Sequence, residues 1–369
     1  MTRSCILILM LLACPARGAL AQSVAPATAP SIDRLQLAAI ANDVAVNALE
    51  QQQTARRPTP APPPPAETPR RRGSMVGYIE DPVVGSKVRF RFDSGRHDPT
   101  PDRAEFFYAK CGCYQDLPTT NPAFDPEAPG PRPGAASDVN FQQLYVLGEY
   151  ATSDQFSVFA ELPIRWLQPQ SFLPNTGAGF DSTSGISDIR AGAKSAISAK
   201  PGQALTAQVK FFFPSGDSAK GLGTNHASIE PAFLIYQELS PKAAIEGQIA
   251  ALAPFGGSTG LDPNSDGKFS GKVLSYGVGP SFTVYESGRT RFAPIVELVG
   301  WHVIDGFETS TGDGTAGANT VNIKFGGRVT WSPIRDGGMG GSVYVGWGKA
   351  LTDAKWYEDI LRFEYRLSF

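Results

Sequence analysis

The sequence predicts an all-β protein, a transmembrane antiparallel up-and-down β-barrel of about twelve strands carrying an N-terminal helix and a proline-rich linker. Three observations predict it. Beyond residue 100, segments of roughly nine to fifteen residues alternate apolar with polar or small side chains. The connections between them alternate short and long. After the first residues, no apolar run approaches the ~18 that a membrane-spanning helix needs, whereas a barrel hides its apolar band in alternate positions.

Residues 1–21 read as a signal peptide, with Arg3 in the n-region, an apolar stretch from Cys5 to Cys14 and an A-x-A site at Ala19-Leu20-Ala21. Leu11-Leu12-Ala13-Cys14 loosely matches a lipidation box; Pro15 and the better site downstream argue against a lipidated Cys14. Residues 22–85 form a tail. Within it, residues 31–50 suggest one amphipathic helix capped by Ser31. Ile32, Leu35, Ala39, Asn42, Val46 and Leu49 fall on a heptad spacing too short to establish a coiled coil. Pro58 to Pro69 make an extended spacer, flanked by Arg56, Arg57, Arg70, Arg71 and Arg72, which keep it solvated.

Residues 86–369 are assigned to the barrel. The expected strands lie near 102–110, 138–151, 155–167, 186–198, 203–213, 228–239, 243–253, 271–286, 290–304, 320–331, 341–350 and 356–369. In the last, Leu361, Phe363, Tyr365, Leu367 and Phe369 alternate with Arg362, Glu364, Arg366 and Ser368, so one face is apolar and the other charged. A further piece, Val88, Phe90 and Phe92, either extends the first strand region or folds inward as a plug. Short connections fall at 152–154, 199–202, 240–242, 287–289 and 332–338. Long ones fall at 111–136, 168–184, 214–227, 254–270 and 305–319; the last, at 351–355, is short. Short periplasmic turns and long external loops are the outer-membrane pattern, and an even strand count puts both barrel ends at the periplasm. Trp166, Trp301, Trp331, Trp347 and Trp356 sit near strand ends, as aromatic girdles require.

The stretch Ser184-Gly-Ile-Ser-Asp-Ile-Arg-Ala-Gly-Ala-Lys194, with Phe213-Pro-Ser-Gly-Asp217, Gly221-Leu-Gly-Thr224 and Ile229-Glu-Pro-Ala-Phe233, resembles the outer-membrane transporter family named for the MetA pathway of phenol degradation. The resemblance covers about 140–369 and rests on turn and strand chemistry. It implies a barrel lineage more than a substrate. It also implies that the terminal Phe369 is the signal read by the barrel-insertion machinery.

With the apolar stripes facing lipid, the opposite faces line the lumen: Arg165, Asp188, Arg190, Lys194, Lys210, Glu230, Glu246, Glu297, Lys324, Arg328, Arg362, Glu364 and Arg366, together with Glu161. Both signs are present, so they either line a polar channel or bridge across and plug it. The expected activity is passage or binding of small solutes, hydrophobic or aromatic ones among them. The alternatives are a structural, plugged barrel and a lipid-modifying enzyme. The last would need a serine, histidine and acid at the rim, for which His97, His226 and His302, with Ser228 near His226, are the available histidines and serine. Asp262, Asn264 and Asp266, followed by Gly267, match the opening of a calcium loop, with Val273 where a bidentate glutamate belongs. Cys111 and Cys113 suggest a local disulfide clip. The charge totals, Lys+Arg 33 against Asp+Glu 35, leave no basic field for nucleic acid. No cofactor motif is present in the sequence. The partners are outer-membrane lipid, the insertion machinery and a small solute, in the outer membrane of a Gram-negative cell.

Phe369→Ala should lower the yield of inserted barrel, measured as the heat-modifiable fraction on gels. Insertion at normal yield would remove the assembly role.

Overall fold

The computed structural model describes residues 73–99, 112–121, 124, 126, 128–255, 271–306, 316–333 and 338–369. The leader, the helix at 31–50, the proline-rich spacer and the strand expected near 102–110 lie outside these residues.

Fourteen strand segments form one antiparallel sheet: β1 (Lys87–Asp98), β2 (Ala136–Ser153), β3 (Phe156–Phe172), β4 (Thr183–Ile186), β5 (Arg190–Lys200), β6 (Gln203–Phe212), β7 (Ala227–Ser240), β8 (Ala243–Phe255), β9 (Val273–Phe282), β10 (Tyr285–Ser287), β11 (Thr290–Val303), β12 (Asn319–Trp331), β13 (Gly340–Ala350) and β14 (Asp359–Ser368). β4 and β5 both pair with β3, and β9 and β10 both pair with β11, so each couple is one broken stave and the staves number twelve. β1 pairs with β14 on one side and β2 on the other, which closes the ring. Closure leaves no edge whose backbone groups would meet lipid unpaired.

The first stave is therefore Lys87–Asp98, the piece that sequence left between strand and plug. The ring is complete without a strand at 102–110. Short connections at Asp154-Gln155, Pro201-Gly202, Pro241-Lys242 and Gly288-Arg289 join pairs of staves at one end, and the longer ones lie at the other. Gly202 and Gly288 adopt φ of 71° and 57°, the left-handed conformation these two-residue turns need. Phe369 N–H donates to the Ser86 carbonyl at 3.2 Å, so both ends of the ring meet on the short-turn side.

Period-two patterning decides which side chains face outward. Phe363 of β14 lies between Phe92 and Val345 in register and is 45% exposed, whereas its neighbours Arg362 and Glu364 are buried. Trp331 and Tyr365 meet on the outer face near the short-turn end, with ring centroids 6.2 Å apart. Trp301 and Trp356 do not join them. Trp301 shares the inward parity of Glu297 and Val299, and its ring lies against the buried Trp356 with centroids 4.6 Å apart and planes tilted by 47°. Their place near strand ends satisfied the girdle pattern, but parity sends Trp301 into the interior.

Phe363→Arg puts a charge at mid-strand on the lipid face and should destabilise the barrel by about 2–4 kcal/mol. Urea unfolding in lipid vesicles checks this; an unchanged midpoint would mean the outer face is not lipid-facing.

Candidate functional site

The inner face is polar over the short-turn half and the middle, and apolar towards the long-loop end. Lys87, Arg89, Arg91 and Asp93 project inward from β1, Glu149 from β2, Glu161 and Arg165 from β3, and Arg362, Glu364 and Arg366 from β14, all buried. Towards the long loops the same parity carries Phe141, Leu167, Leu252, Trp301 and Ile360, which pack with Trp356, Tyr357 and Leu222.

The interior is occupied by the chain itself. Residues 74–77, 79, 81, 82 and 84, placed by sequence in a tail ending at residue 85, are buried inside the ring. Wall side chains hold their backbone. Glu246 accepts the N–H groups of Met75 (2.7 Å) and Val76 (3.3 Å), and Glu297 accepts those of Gly77, Tyr78 and Ile79 at 3.0–3.2 Å. Gln248 accepts from Glu80 N–H at 2.8 Å. The carbonyls are matched in turn. Arg328 donates to Met75 and Val76, Arg362 to Gly77, Lys194 to Asp81, and Thr206 to Pro82, all within 3.0 Å. A buried segment without secondary structure has to find partners for its backbone groups, and here wall side chains, most of them acidic or basic, supply many of them. Met75, Val76 and Ile79 pack on Ala293, Ile295 and Val299 of β11 and on Tyr344. A Cβ on Gly77, Gly326 or Gly346 would run into the Tyr344 ring, so glycine at these three positions lets the segment and the ring share the space.

The segment's two carboxylates complete an ion network. Asp81 pairs with Lys87 (2.5 Å) and Arg366 (2.8 Å), and Glu80 with Lys210 (3.1 Å) and Arg89 (3.4 Å). Arg89 continues to Glu161 (2.9 Å), which also meets Arg190 (3.2 Å). Glu364 joins Arg328 (2.8 Å) to Arg366 (2.9 Å), and Glu149 joins Lys194 (3.0 Å) to Lys87 (3.5 Å). Arg362 grips Asp93 with two bonds of 2.6 Å. Arg91 lies 3.8 Å from the Tyr145 ring centroid.

Each residue expected in the lumen has its side chain buried or half-buried on the inner face, but their surroundings differ. Arg190, Lys194, Lys210, Glu230, Arg328, Arg362, Glu364 and Arg366 belong to the ion network, Glu230 through Lys210 at 2.9 Å. Glu246 and Glu297 hold the inserted backbone. Lys324 donates to the Tyr357 hydroxyl and lies against the rings of Tyr78 and Tyr357. Arg165 donates to Gly221 O at 3.4 Å. Asp188 sits in the break between β4 and β5 and clamps the following loop, accepting from Gly216 N–H, Thr224 N–H and the Thr224 hydroxyl at 2.8–3.0 Å. Its role there is to hold a loop. Sequence missed Glu80, Asp81, Lys87, Arg89, Arg91, Asp93 and Glu149; for those in β1, the alternation of Val88, Phe90 and Phe92 with Arg89, Arg91 and Asp93 was the available signal.

The calcium-loop residues Asp262, Asn264 and Asp266 lie outside the described residues, as does Cys111; Cys113 is disulfide-bonded. His226 is buried beside Asp188 and Thr224, and burial pushes its imidazole pKa down. Among the described residues no hydrogen bond joins a serine hydroxyl to a histidine ring: His97 pairs with Asp138 and His302 with Asn319.

Arg362→Ala would leave Asp93 buried without its bidentate partner, at a cost of about 3–5 kcal/mol. Asp93→Asn with Arg362→Met should recover most of this in a double-mutant cycle read by urea unfolding; additive losses would show that the pair is solvated and uncoupled.

A comparison with curated protein sequences finds no match. Among solved structures, the chain is similar to an outer-membrane channel from Pseudomonas putida F1, at 16% identity over 78% of this chain and 96% of that one, with a TM-score of 0.44. It is also similar to the NanC porin, at 8% identity over 77% and 98% with a TM-score of 0.40, and to LpxR from Salmonella typhimurium, at 10% over 77% and 100% with a TM-score of 0.38. A closed ring of twelve antiparallel staves, apolar outside and charged within, is the architecture of an outer-membrane barrel. Residues 136–354, more than half of the chain, match the family described as "Putative MetA-pathway of phenol degradation", and the chain belongs to that family.

Proposed function

We propose that this barrel passes small solutes, hydrophobic or aromatic ones among them, across the outer membrane, and that residues 73–86 are a removable stopper in its lumen. The observation that carries the reading is how the segment is held. Its backbone and its two carboxylates are bonded mainly by wall side chains, Met75, Val76 and Ile79 rest on β11, Ser86 at its end accepts from Phe369 N–H, and it forms no strand ladder with any stave. Each such bond exchanges readily for a bond to water, so the segment can leave without opening the barrel wall. Ladder hydrogen bonds hold the ring and are independent of it.

The wall supports passage. Gln143 Nε2, Gln208 Nε2 and both amide atoms of Asn322 are buried without a protein partner, a condition costing about 1–3 kcal/mol per group in a dry interior and little in a wetted one. Twelve staves enclose more than the eight that side chains alone fill and less than the sixteen of wide porins. With Glu80 and Asp81 withdrawn, Lys87, Arg89, Lys210 and Arg366 lose carboxylate partners, so the cleared lumen has a positive inner wall. A structural barrel is the state with the stopper in place; no specific observation favours the lipid-modifying enzyme.

The test is planar-bilayer conductance of the full chain beside Glu80→Gln/Asp81→Asn. The parent should be mostly closed, with rare openings. The variant, having lost the pairs that seat the segment, should open at least about tenfold more often. Its reversal potential in a salt gradient should favour anions. Silence in both proteins would overturn the channel reading.

A further inference from the structure

The two carboxylates of the inserted segment sit in half-sites built alike. Asp81 lies between Lys87 (2.5 Å) and Arg366 (2.8 Å), and Glu80 between Lys210 (3.1 Å) and Arg89 (3.4 Å). Each carboxylate therefore meets one ammonium and one guanidinium from the wall. Each guanidinium forks, giving one nitrogen to the segment and another to a wall carboxylate, Arg366 to Glu364 and Arg89 to Glu161, both at 2.9 Å. The wall carboxylates alone do not match these cations. Glu149 is shared by Lys87 and Lys194, Glu161 by Arg89 and Arg190, and Glu364 by Arg328 and Arg366. Donors stay in surplus even with the segment seated. Arg89 Nε, Arg366 Nε and the Gln208 amide nitrogen are buried without a hydrogen-bond partner. Gln208 faces inward with Lys210 on β6 and pairs in register with Lys194. Water reaches one half-site more than the other: the Glu80 side chain is 21% exposed and that of Asp81 is 5% exposed.

We infer that the paired half-sites are the binding site of a small dicarboxylate, and that Glu80 and Asp81 occupy it as the chain's own substitute for that solute. The inference rests on the channel reading and deepens it by naming the class of solute that releases the stopper. Charge, number and reach each specify the solute. Withdrawing the segment leaves Lys87, Arg89, Lys210 and Arg366 buried and each short of a carboxylate, a loss that an anion offsets and a neutral solute does not. A monoanion fills one half-site and leaves the other holding the segment. Consecutive residues have Cα atoms about 3.8 Å apart, so one short molecule reaches both half-sites. Glu80 and Asp81 are tethered to the backbone and leave three donors unmet, whereas a free dicarboxylate turns to accept from them. The same four cations serve solute and segment, so binding of one and release of the other are a single equilibrium.

The experiment is a calorimetric titration of the full chain in detergent with glutarate, beside butyrate with its single carboxylate and the neutral glutaramide. Glutarate should bind saturably to the parent and at least about tenfold tighter to Glu80→Gln/Asp81→Asn, whose competing carboxylates are gone. Butyrate and glutaramide should bind that variant at least about tenfold more weakly than glutarate does. Lys210→Gln added to the variant should weaken glutarate by a similar factor while the barrel still migrates as folded on gels. No saturable binding of glutarate to the variant, equal binding of butyrate, or the same affinity in parent and variant would overturn the site. Bilayer conductance judges the channel reading separately. If Glu80→Gln/Asp81→Asn is silent there yet binds glutarate tighter than the parent, the channel reading falls and the site stands. If it conducts and does not bind glutarate, the site falls and the channel stands.

Discussion

An ionised side chain pointing into a closed ring has to meet an opposite charge, a hydrogen-bonding dipole or water, and every second residue of these staves points inward. In β1 alone that places Lys87, Arg89, Arg91 and Asp93 inside, and β14 adds Arg362, Glu364 and Arg366 opposite them. The wall carries more cations than carboxylates on this face. The deficit is met by residues 74–81, which bring Glu80, Asp81 and a row of peptide groups. The filled interior and the position of the stopper both follow from this need for neutralisation.

The same need explains how an irregular segment can be buried. Its N–H groups converge on Glu246 and Glu297, and its carbonyls on Arg328, Arg362 and Lys194. Several wall ions thus find partners in the segment, and many of its peptide groups find theirs in the wall. The apolar residues of the segment add little specificity by comparison, since Met75, Val76 and Ile79 rest on a small patch of β11. An assembly fastened this way is firm while complete and exchangeable with water when a competing ligand takes one of its places. The barrel ladder has no such exchange available, because its outer face meets lipid.

The interior is divided along its length. The charged half near the short turns seats the inserted segment, and the half near the long loops is a packed apolar cluster that includes Phe141, Trp356, Tyr357 and Ile360. Tyr78 stands where they meet, and its two cationic neighbours come from staves β12 and β14, on either side of the β13 that carries Tyr344.

The sequence by itself determined the ring: strand parity, the alternation of loop lengths and the identity of the inward charges are all properties of neighbouring residues, and period-two patterning records them locally. That is why Arg362, Glu364 and Arg366 were legible, and why twelve staves could be counted although the first was misplaced. Only the tertiary structure decided what fills the ring. Gly73 to Asp81 has no periodicity, and its partners Glu246, Glu297, Arg328 and Arg362 lie at least 170 residues away in most cases, so no local pattern encodes the contact. The loop clamp at Asp188 was hidden for the same reason, whereas the inward turn of Trp301 was legible in its parity with Glu297. Pairing across a lumen depends on which staves close upon which, and that is known only when the ring has closed.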